Sequence, residues 1–408
     1  MSFLTDLNRD QMERLRSTVI NKYIIGSAPP ITVMDLFLTE HCTLRCDYCF
    51  VTNKRYKRSS WEILEKAVDF LMKESKDAPR VELVLFGGEP LIEFPLLKRT
   101  VEYAEERALA LDKKIDFAVT TNGTIMSEEI ARFGGRHGFN YLTSVDGNRE
   151  VHDQHRKTIS GKGSWDLIMG KNFDLLKQIQ RWVGTRITVN PDTVGKLFVS
   201  VETLFGRGFN QFLICPNNGA QWNEEQLDIY YSEMCKVADF YVRMKKNGAP
   251  IRISELDKSP DVRLSQRRGI WGCGAGRSRV AISIFGEIYP CARFVGAGPE
   301  LSIYKLGTLD GGITEIDRRL EFLMDSEELR AECRTCSRKD SCAGGCYPVN
   351  FSSHNSLYEH TRMDCFYTNM MISLSKIIES SGVLDLDKRT SSTGFDESEY
   401  FRLILCND

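Results

Sequence analysis

The stretch ITVMDLFLTEHCTLRCDYCF, residues 31–50, decides the fold. Ile31 to Leu38 is a short apolar run rich in β-branched and aromatic residues, which reads as a buried strand. The loop after it places Cys42, Cys46 and Cys49 in a C-x3-C-x2-C spacing, followed by Phe50. Three thiolates on one tight loop can hold three corners of an iron–sulfur cubane, leaving the fourth iron open to a small chelating molecule. The competing reading is zinc, but a structural zinc site takes four ligands. His41, the nearest fourth donor, adjoins Cys42 and would strain a tetrahedron.

Downstream the pattern cycles. A helix is expected from near Ser59, with Glu62 completing a capping box and Trp61, Leu64, Val68, Leu71 and Met72 on one face. A strand follows at 81–86, then the turn Gly87-Gly88-Glu89-Pro90 and a helix to about 111. Strand 115–120, turn Asn122-Gly123, helix 127–136, strand 139–145 and turn Asp146-Gly147 repeat the unit. Helix 164–181, strand 183–189, helix 194–206 and strand 209–214 extend it. Such alternation implies right-handed crossovers and a parallel sheet. Six units predict a partial (β/α)6 TIM-like barrel, with its site at the C-terminal strand ends where the cysteine loop and glycine turns fall.

Residues 223–247 read as a connecting helix, and beyond about 250 the alternation survives only in a hairpin, VAISIFGEIYPC at 280–291. The expected organisation is a lead-in at 1–30, the barrel at 31–250, a cysteine-rich domain at 251–381 and a polar tail at 382–408. The chain of 408 residues has room for two such domains, and 42% apolar residues supply their cores. With 54 Lys and Arg against 56 Asp and Glu, the net charge of −2 gives no case for nucleic acid or an anionic membrane. No apolar run approaches a membrane span and no signal-peptide core opens the chain, so a cytoplasmic location is expected. Thirteen cysteines, three within 42–49 and five within 333–365, are clumped as metal ligands are.

The cysteine loop after a first barrel strand resembles the signature of the radical S-adenosylmethionine (SAM) superfamily, and the resemblance covers most of the chain. It implies that Cys42, Cys46 and Cys49 hold a [4Fe–4S] cluster that cleaves SAM reductively. Gly87-Gly88-Glu89-Pro90 is similar to the family's turn at the SAM amino group. Ser144-Val145-Asp146-Gly147 resembles its S-x-D-G element, and Arg156 matches an arginine that pairs with the SAM carboxylate. Asn122 is placed near the ribose, though turn formation alone explains Asn-Gly there. His152 and His155 are expected to support the Arg156 loop. Cys273, Gly286-x4-Cys291, Cys333-x2-Cys336-x5-Cys342-x3-Cys346 and Cys365 resemble the seven-cysteine SPASM domain, a scaffold for two auxiliary Fe–S clusters. The resemblance assigns Cys333, Cys336, Cys342 and Cys365 to a distal cluster, and Cys273, Cys291 and Cys346 to one nearer the active site. A zinc ribbon of Cys333, Cys336, Cys342 and Cys346 is the alternative. The cofactors implied are three [4Fe–4S] clusters and SAM. Some relatives carry an eighth cysteine, but the window LSQRRGIWG at 264–272 has none, which leaves the nearer cluster three protein ligands. Cys215, Cys235 and Cys406 fall outside every pattern; Cys235 reads as core, and Cys215 as a residue able to face the site.

Two substrate classes fit the layout. Sulfatase-maturing relatives carry Asp directly after the hairpin cysteine as a base, and here that position is Ala292. The strings GEIYPCARFVG, YKLGTL and FGGEPL resemble maturases of ribosomally made peptides, which form thioether or carbon–carbon crosslinks. A radical peptide maturase is therefore expected, with a precursor peptide as substrate and flavodoxin or ferredoxin as electron donor. Formylglycine generation and a small-molecule radical dehydrogenase are the alternatives. A bare electron carrier would not need the SAM-contacting turns. Only about 30 residues precede the first strand, too few for a leader-binding winged helix. Docking is then expected at the barrel mouth, the SPASM domain or a separate protein.

Overall fold

A computed structural model describes residues 28–257, 273–296, 298–325 and 329–384. The 264–272 window, Cys406 and most of the polar tail lie outside the described residues.

Strand β1 (Val33–Thr39) is buried along its whole length because both of its faces are covered. Met34, Leu36 and Leu38 face a helix layer, while Val33 and Phe37 face the interior of the curved sheet. Helix α1 (Trp61–Glu74) crosses back and buries Leu64, Val68 and Leu71 against that outer face. Its cap is Ser60, which accepts from the Ile63 amide, so the expected Ser59–Glu62 capping box does not form. Ser59 is buried, and its amide donates to Leu38 O at 2.9 Å as the chain runs along the end of β1.

The cycle continues through β2 (Arg80–Gly87), α2 (Phe94–Ala110), β3 (Lys114–Thr121), α3 (Glu128–Arg136), β4 (Asn140–Ser144) and α4 (Arg149–His155). The single helix expected over 164–181 is two, α5 (Trp165–Ile168) and α6 (Lys171–Ile179). Gly170, at φ −92° and ψ −134°, leaves the helical conformation between them and lets the chain turn. β5 (Gly184–Val189), α7 (Leu197–Arg207), β6 (Gln211–Pro216) and α8 (Glu224–Lys246) complete six units, and the strands from β1 to β6 pair in parallel in chain order.

The sheet does not stop at the boundary placed near 250. β7 (Arg252–Ile253) adds to β6 in parallel, and β8 (Arg279–Ile282) joins β1 in parallel at the opposite edge. β8 then turns into β9 (Glu287–Tyr289) as the expected hairpin, with Ala281 opposite Tyr289. Helix α9 (Ala292–Gly296), β10 (Gly307–Thr308), β11 (Gly312–Ile313), α10 (Ile316–Leu323), α11 (Tyr347–His354) and α12 (Arg362–Ser380) follow. α12 returns to the barrel: Met370, Met371 and Leu374 pack with Tyr230, Met234 and Val237 of α8. The cysteine-rich part is thus anchored at both edges of the open barrel. No described helix is long and apolar enough to cross a membrane.

Candidate active site

The C-terminal ends of β1, β2 and β3 meet at the cysteine loop. Gly87 has φ +145°, and a Cβ there would overlap the Thr39 carbonyl oxygen; one on Gly88 would overlap that of His41. Two glycines in succession therefore let the turn after β2 lie directly on the loop. The Gly88 amide donates to Thr39 O, and that of Glu89 to His41 O, both at 2.9 Å. Arg45 Nη1 donates to the carbonyls of Cys42 and Leu44, each at 2.8 Å, closing the loop on itself.

The three thiols are grouped. Burial pushes the Cys46 thiol up to about 11, opposed by nearby Arg156 and reinforced by Cys49 and Cys42. Burial raises Cys42 as well, opposed by Lys54. Lys54 Nζ donates to Cys49 Sγ at 3.1 Å, and the Leu44 amide to Cys42 Sγ at 3.4 Å. Buried thiols that repel one another when ionised become thiolates together only against a bound cation, so this donor set fits a metal cluster.

Glu89 does not offer its carboxylate to the mouth. It is fully buried and accepts from the Asn122 amide at 2.7 Å, Thr121 Oγ1 at 2.8 Å and the Leu91 amide at 3.2 Å. Burial still lifts it to about 7. It braces the turn after β2 against the turn after β3. Asn122 Nδ2 reaches Thr43 Oγ1 at 3.0 Å and lies 3.6 Å from Cys42 Sγ.

Arg156 was expected on a SAM carboxylate; its Nε and Nη2 fork onto Asp146 at 2.9 and 3.0 Å. Both side chains are buried, and Asp146 also accepts from Tyr48 Oη and, at 2.9 Å, the Thr188 amide. Burial alone would raise the Asp146 carboxyl, but the Arg156 guanidinium holds it below its ordinary value. Ser144 ends β4 beside this pair. His152 is pushed down to about 3 by burial, so it is neutral, and its Nε2 meets Ser164 Oγ at 2.9 Å. His155 bridges Asp47 of the cysteine loop at 2.9 Å and Asp192 at 3.1 Å. The histidines are struts for the loop.

The other seven pattern cysteines influence one another electrostatically in a group of three and a group of four. Burial raises the Cys291 thiol, and the neighbouring Cys273 and Cys346 raise it further. Burial takes Cys365 to about 11, reinforced by Cys342, Cys333 and Cys336. Cys346 thus sides with Cys273 and Cys291, against a zinc ribbon built on Cys342 and Cys346. Gly344 and Gly345, at φ +76° and +81°, carry the chain from one set to the other. Arg330 organises this crossing, with Nη1 on the carbonyls of Gly344 and Tyr358 at 2.8 Å and a buried pair with Asp325. Cys215 lies on the interior face beside Leu142 and Leu213, while Cys235 is half-buried on α8.

Sequence reading missed the floor of the site. Asp35, on β1, is paired with Arg279 of β8 through Nε at 2.8 Å and through Nη2. Asp35 Oδ2 also accepts from the Ala292 amide at 3.2 Å. The signal was present: a charged residue in a strand buried on both faces needs a partner. Asp35, Phe50, Thr120, Arg186, Cys291 and Ala292 line a cavity of about 630 Å3, its open mouth included. The cavity joins Phe50, next to Cys49, to the Cys291 set. Below it Glu82 is fully buried with no hydrogen-bond partner among the described residues.

Residues 36–194 match the family model described as Radical SAM superfamily. A serine-type anaerobic sulfatase-maturating enzyme of Bacteroides thetaiotaomicron is 32% identical over 360 residues, covering 80% of this chain and 84% of the relative. The structure of anSMEcpe with bound AdoMet and a Kp18Cys peptide superposes at TM-score 0.70 with 20% identity, covering 87% of this chain and 99% of that one. Streptococcus suis SuiB bound to precursor peptide SuiA reaches TM-score 0.56 at 14% identity, covering 87% and 80%. On this breadth of similarity, the chain belongs to the radical SAM superfamily, among the SPASM-type enzymes related to the anaerobic sulfatase-maturating enzymes.

Proposed function

We propose that the chain oxidatively modifies a side chain of a precursor peptide in the cytoplasm, forming a thioether or carbon–carbon crosslink. The observation that carries this reading is a cavity lined by Phe50, the residue after Cys49, and by Cys291. Cys42, Cys46 and Cys49 would hold a [4Fe–4S] cluster, and the backbone at Gly87–Pro90 with Asn122 and Ser144 would bind SAM beside it. Cluster and SAM would supply hydrogen-abstraction chemistry, with flavodoxin or ferredoxin as the electron donor. Asp146 and Arg156 fix the loop wall with a neutralised pair. Cys273, Cys291 and Cys346 hold one auxiliary [4Fe–4S] cluster, and Cys333, Cys336, Cys342 and Cys365 a second. The protein confines the substrate in the cavity and excludes water.

Formylglycine generation is the second reading. The related enzymes of that name support it, although Ala292 supplies no carboxylate and the nearby Asp35 carboxylate is taken up by Arg279 and the Ala292 amide. The test offers the reconstituted enzyme, SAM and reductant two peptides: a sulfatase-derived one with a Cys or Ser target, and a cysteine-bearing precursor-type peptide without the sulfatase motif. A mass loss of two hydrogens in the second without an aldehyde supports the crosslink. Aldehyde on the first at the rate of SAM turnover overturns it in favour of formylglycine.

A further inference from the structure

The cysteine loop is followed by a strap, residues 51–58, whose far end returns to β1 where Arg58 bridges Thr39. Both ends of the strap are fixed. Thr52 donates from its amide and from Oγ1 to Gly296 O, at 2.9 and 3.2 Å, and a Cβ on Gly296 would meet Val51 Cα at 3.0 Å. At the other end the Glu40 amide and Thr39 Oγ1 both donate to Lys57 O, at 3.0 and 2.9 Å. Asn53 and Arg55 are exposed, but Lys54 between them turns inward and places Nζ 3.1 Å from Cys49 Sγ. Arg156 and Arg45 also lie near these thiols. Arg156 is neutralised by Asp146, and Arg45 directs Nη1 at the carbonyls of Cys42 and Leu44. Glu40, an acid beside the strap, is taken by Arg55 at 2.5 Å. Of these cations, Lys54 is the one that donates to a sulfur. Cys336 and Cys342, by contrast, accept from uncharged backbone amides, of Arg338 at 3.4 Å and of Gly344 at 3.3 Å.

We propose that Lys54 is a positioning residue that acts through Cys49: its ammonium, fixed on Cys49 Sγ, raises the reduction potential of the iron–sulfur cluster held by Cys42, Cys46 and Cys49. The proposal rests on the SAM-cleaving reading of that loop and names what lets the loop accept an electron. Three thiolates bring more negative charge than an oxidised [4Fe–4S] core offsets, so the centre is anionic before any electron arrives. The loop is also poorly hydrated, with Cys42 only 5% exposed. Adding charge to such a centre is unfavourable, and net charge and hydrogen bonds to sulfur set its potential. A fixed cation on one sulfur stabilises the reduced state more than the oxidised one, and so eases reduction. Charge-assisted hydrogen bonds are roughly twice as strong as neutral ones, which separates Lys54 from the amides on Cys336 and Cys342. No bond forms or breaks at Lys54, and the electron comes from the external reductant.

The test is an anaerobic redox titration of the iron-loaded chain without SAM, read by electron paramagnetic resonance. The signal of the Cys42 group is isolated by difference from the protein carrying Cys42→Ala, Cys46→Ala and Cys49→Ala. At the wild-type midpoint potential, the reduced-to-oxidised ratio should fall about tenfold in Lys54→Met, a shift of about 59 mV for a one-electron couple. Lys54→Arg should bring the ratio back to within about threefold of wild type, because the charge-assisted donor is restored. Signals from the other cysteine groups should not move, and calorimetric titration of the oxidised protein should show unchanged affinity for SAM. An unshifted midpoint in Lys54→Met overturns the proposal, and weakened SAM binding alongside it would make Lys54 a ligand of SAM instead. An equal shift in Lys54→Arg also overturns it, because packing rather than charge would then set the potential. If Lys54→Met fails to hold iron, Lys54→Gln is titrated in its place with the same fall expected. Loss of iron there too overturns the proposal in favour of a role in cluster assembly. Wild type without a signal that the triple variant lacks contradicts the cluster reading of the loop instead.

Discussion

The two cysteine regions are built on different physics. The Cys42 loop stands on β1, β2 and β3, whose faces bury an unbroken apolar layer, so the fold places its thiols without help from metal. Most of the C-terminal cysteines stand on short turns and helix ends, with Cys365 in α12, beside a buried Arg330–Asp325 pair and a smaller aromatic core around Tyr304, Phe322 and Tyr347. Order in the first region comes from sheet burial; in the second the described contacts are a smaller core and a few polar bonds, to which the proposed metal ligation would add.

Removing the thiols breaks this comparison most sharply. Cys42→Ala with Cys46→Ala and Cys49→Ala should remove about four iron, abolish SAM cleavage and leave the barrel folded. Cys333→Ala with Cys336→Ala should also remove about four iron, but open the C-terminal region to protease at 329–365 while the barrel resists. Iron assay and limited proteolysis under anaerobic conditions read both. Equal protease sensitivity in the two variants would erase the distinction.

The buried pairs give the next effect. Arg330→Met strands Asp325 beside Tyr347 and frees the Gly344 and Tyr358 carbonyls, and should cost about 3–5 kcal/mol. Denaturation of the loaded protein measures it, and a change below about 1 kcal/mol would show that the metal sites alone hold the region. On the barrel side, Arg156→Ala strands Asp146 and should weaken SAM binding by roughly 1.5–3 kcal/mol with iron content unchanged. Affinity equal to wild type would detach the Asp146–Arg156 pair from the SAM site.

Much of the barrel was legible because strand and helix periodicity are local properties. β1 to β6 fall within a few residues of expectation, and cysteine spacing marked the thiol groups. What escaped was long-range or competitive. Nothing near β8 says that it pairs with β1, and Arg279 finds Asp35 across 244 residues. Gly170 sits in a helical pattern, yet its non-helical backbone breaks the helix. Arg156 was read as a partner for an outside carboxylate, and nothing in the sequence signals that its guanidinium also forks onto Asp146, ten residues away. Spacing identifies the donor but cannot rank its acceptors. The 264–272 window, on which the three-ligand reading of the nearer auxiliary cluster rests, lies outside the described residues.

The smallest effect separates the regions by their buried acids. Asp325 is paired, but Glu82, on the interior face of β2, has neither oxygen hydrogen-bonded among the described residues. Burial pushes its carboxyl up from 4.5 to about 8, against the pull of Arg279. In the native state it therefore stays protonated through neutrality, while in the unfolded chain it ionises near its ordinary value. Between these pH values the native state binds the extra proton, so stability falls as pH rises and the loss is complete above about 8. Glu82→Gln keeps the shape and neutrality without the titration. Its stability should match wild type near pH 4.5 and exceed it progressively up to pH 8, by on the order of 1 kcal/mol per pH unit. Denaturation curves of the two proteins across pH 5 to 8.5 measure it. Parallel wild-type and Glu82→Gln profiles would mean that Glu82 finds a partner in solution, and that the barrel floor satisfies its buried charges as the C-terminal region does.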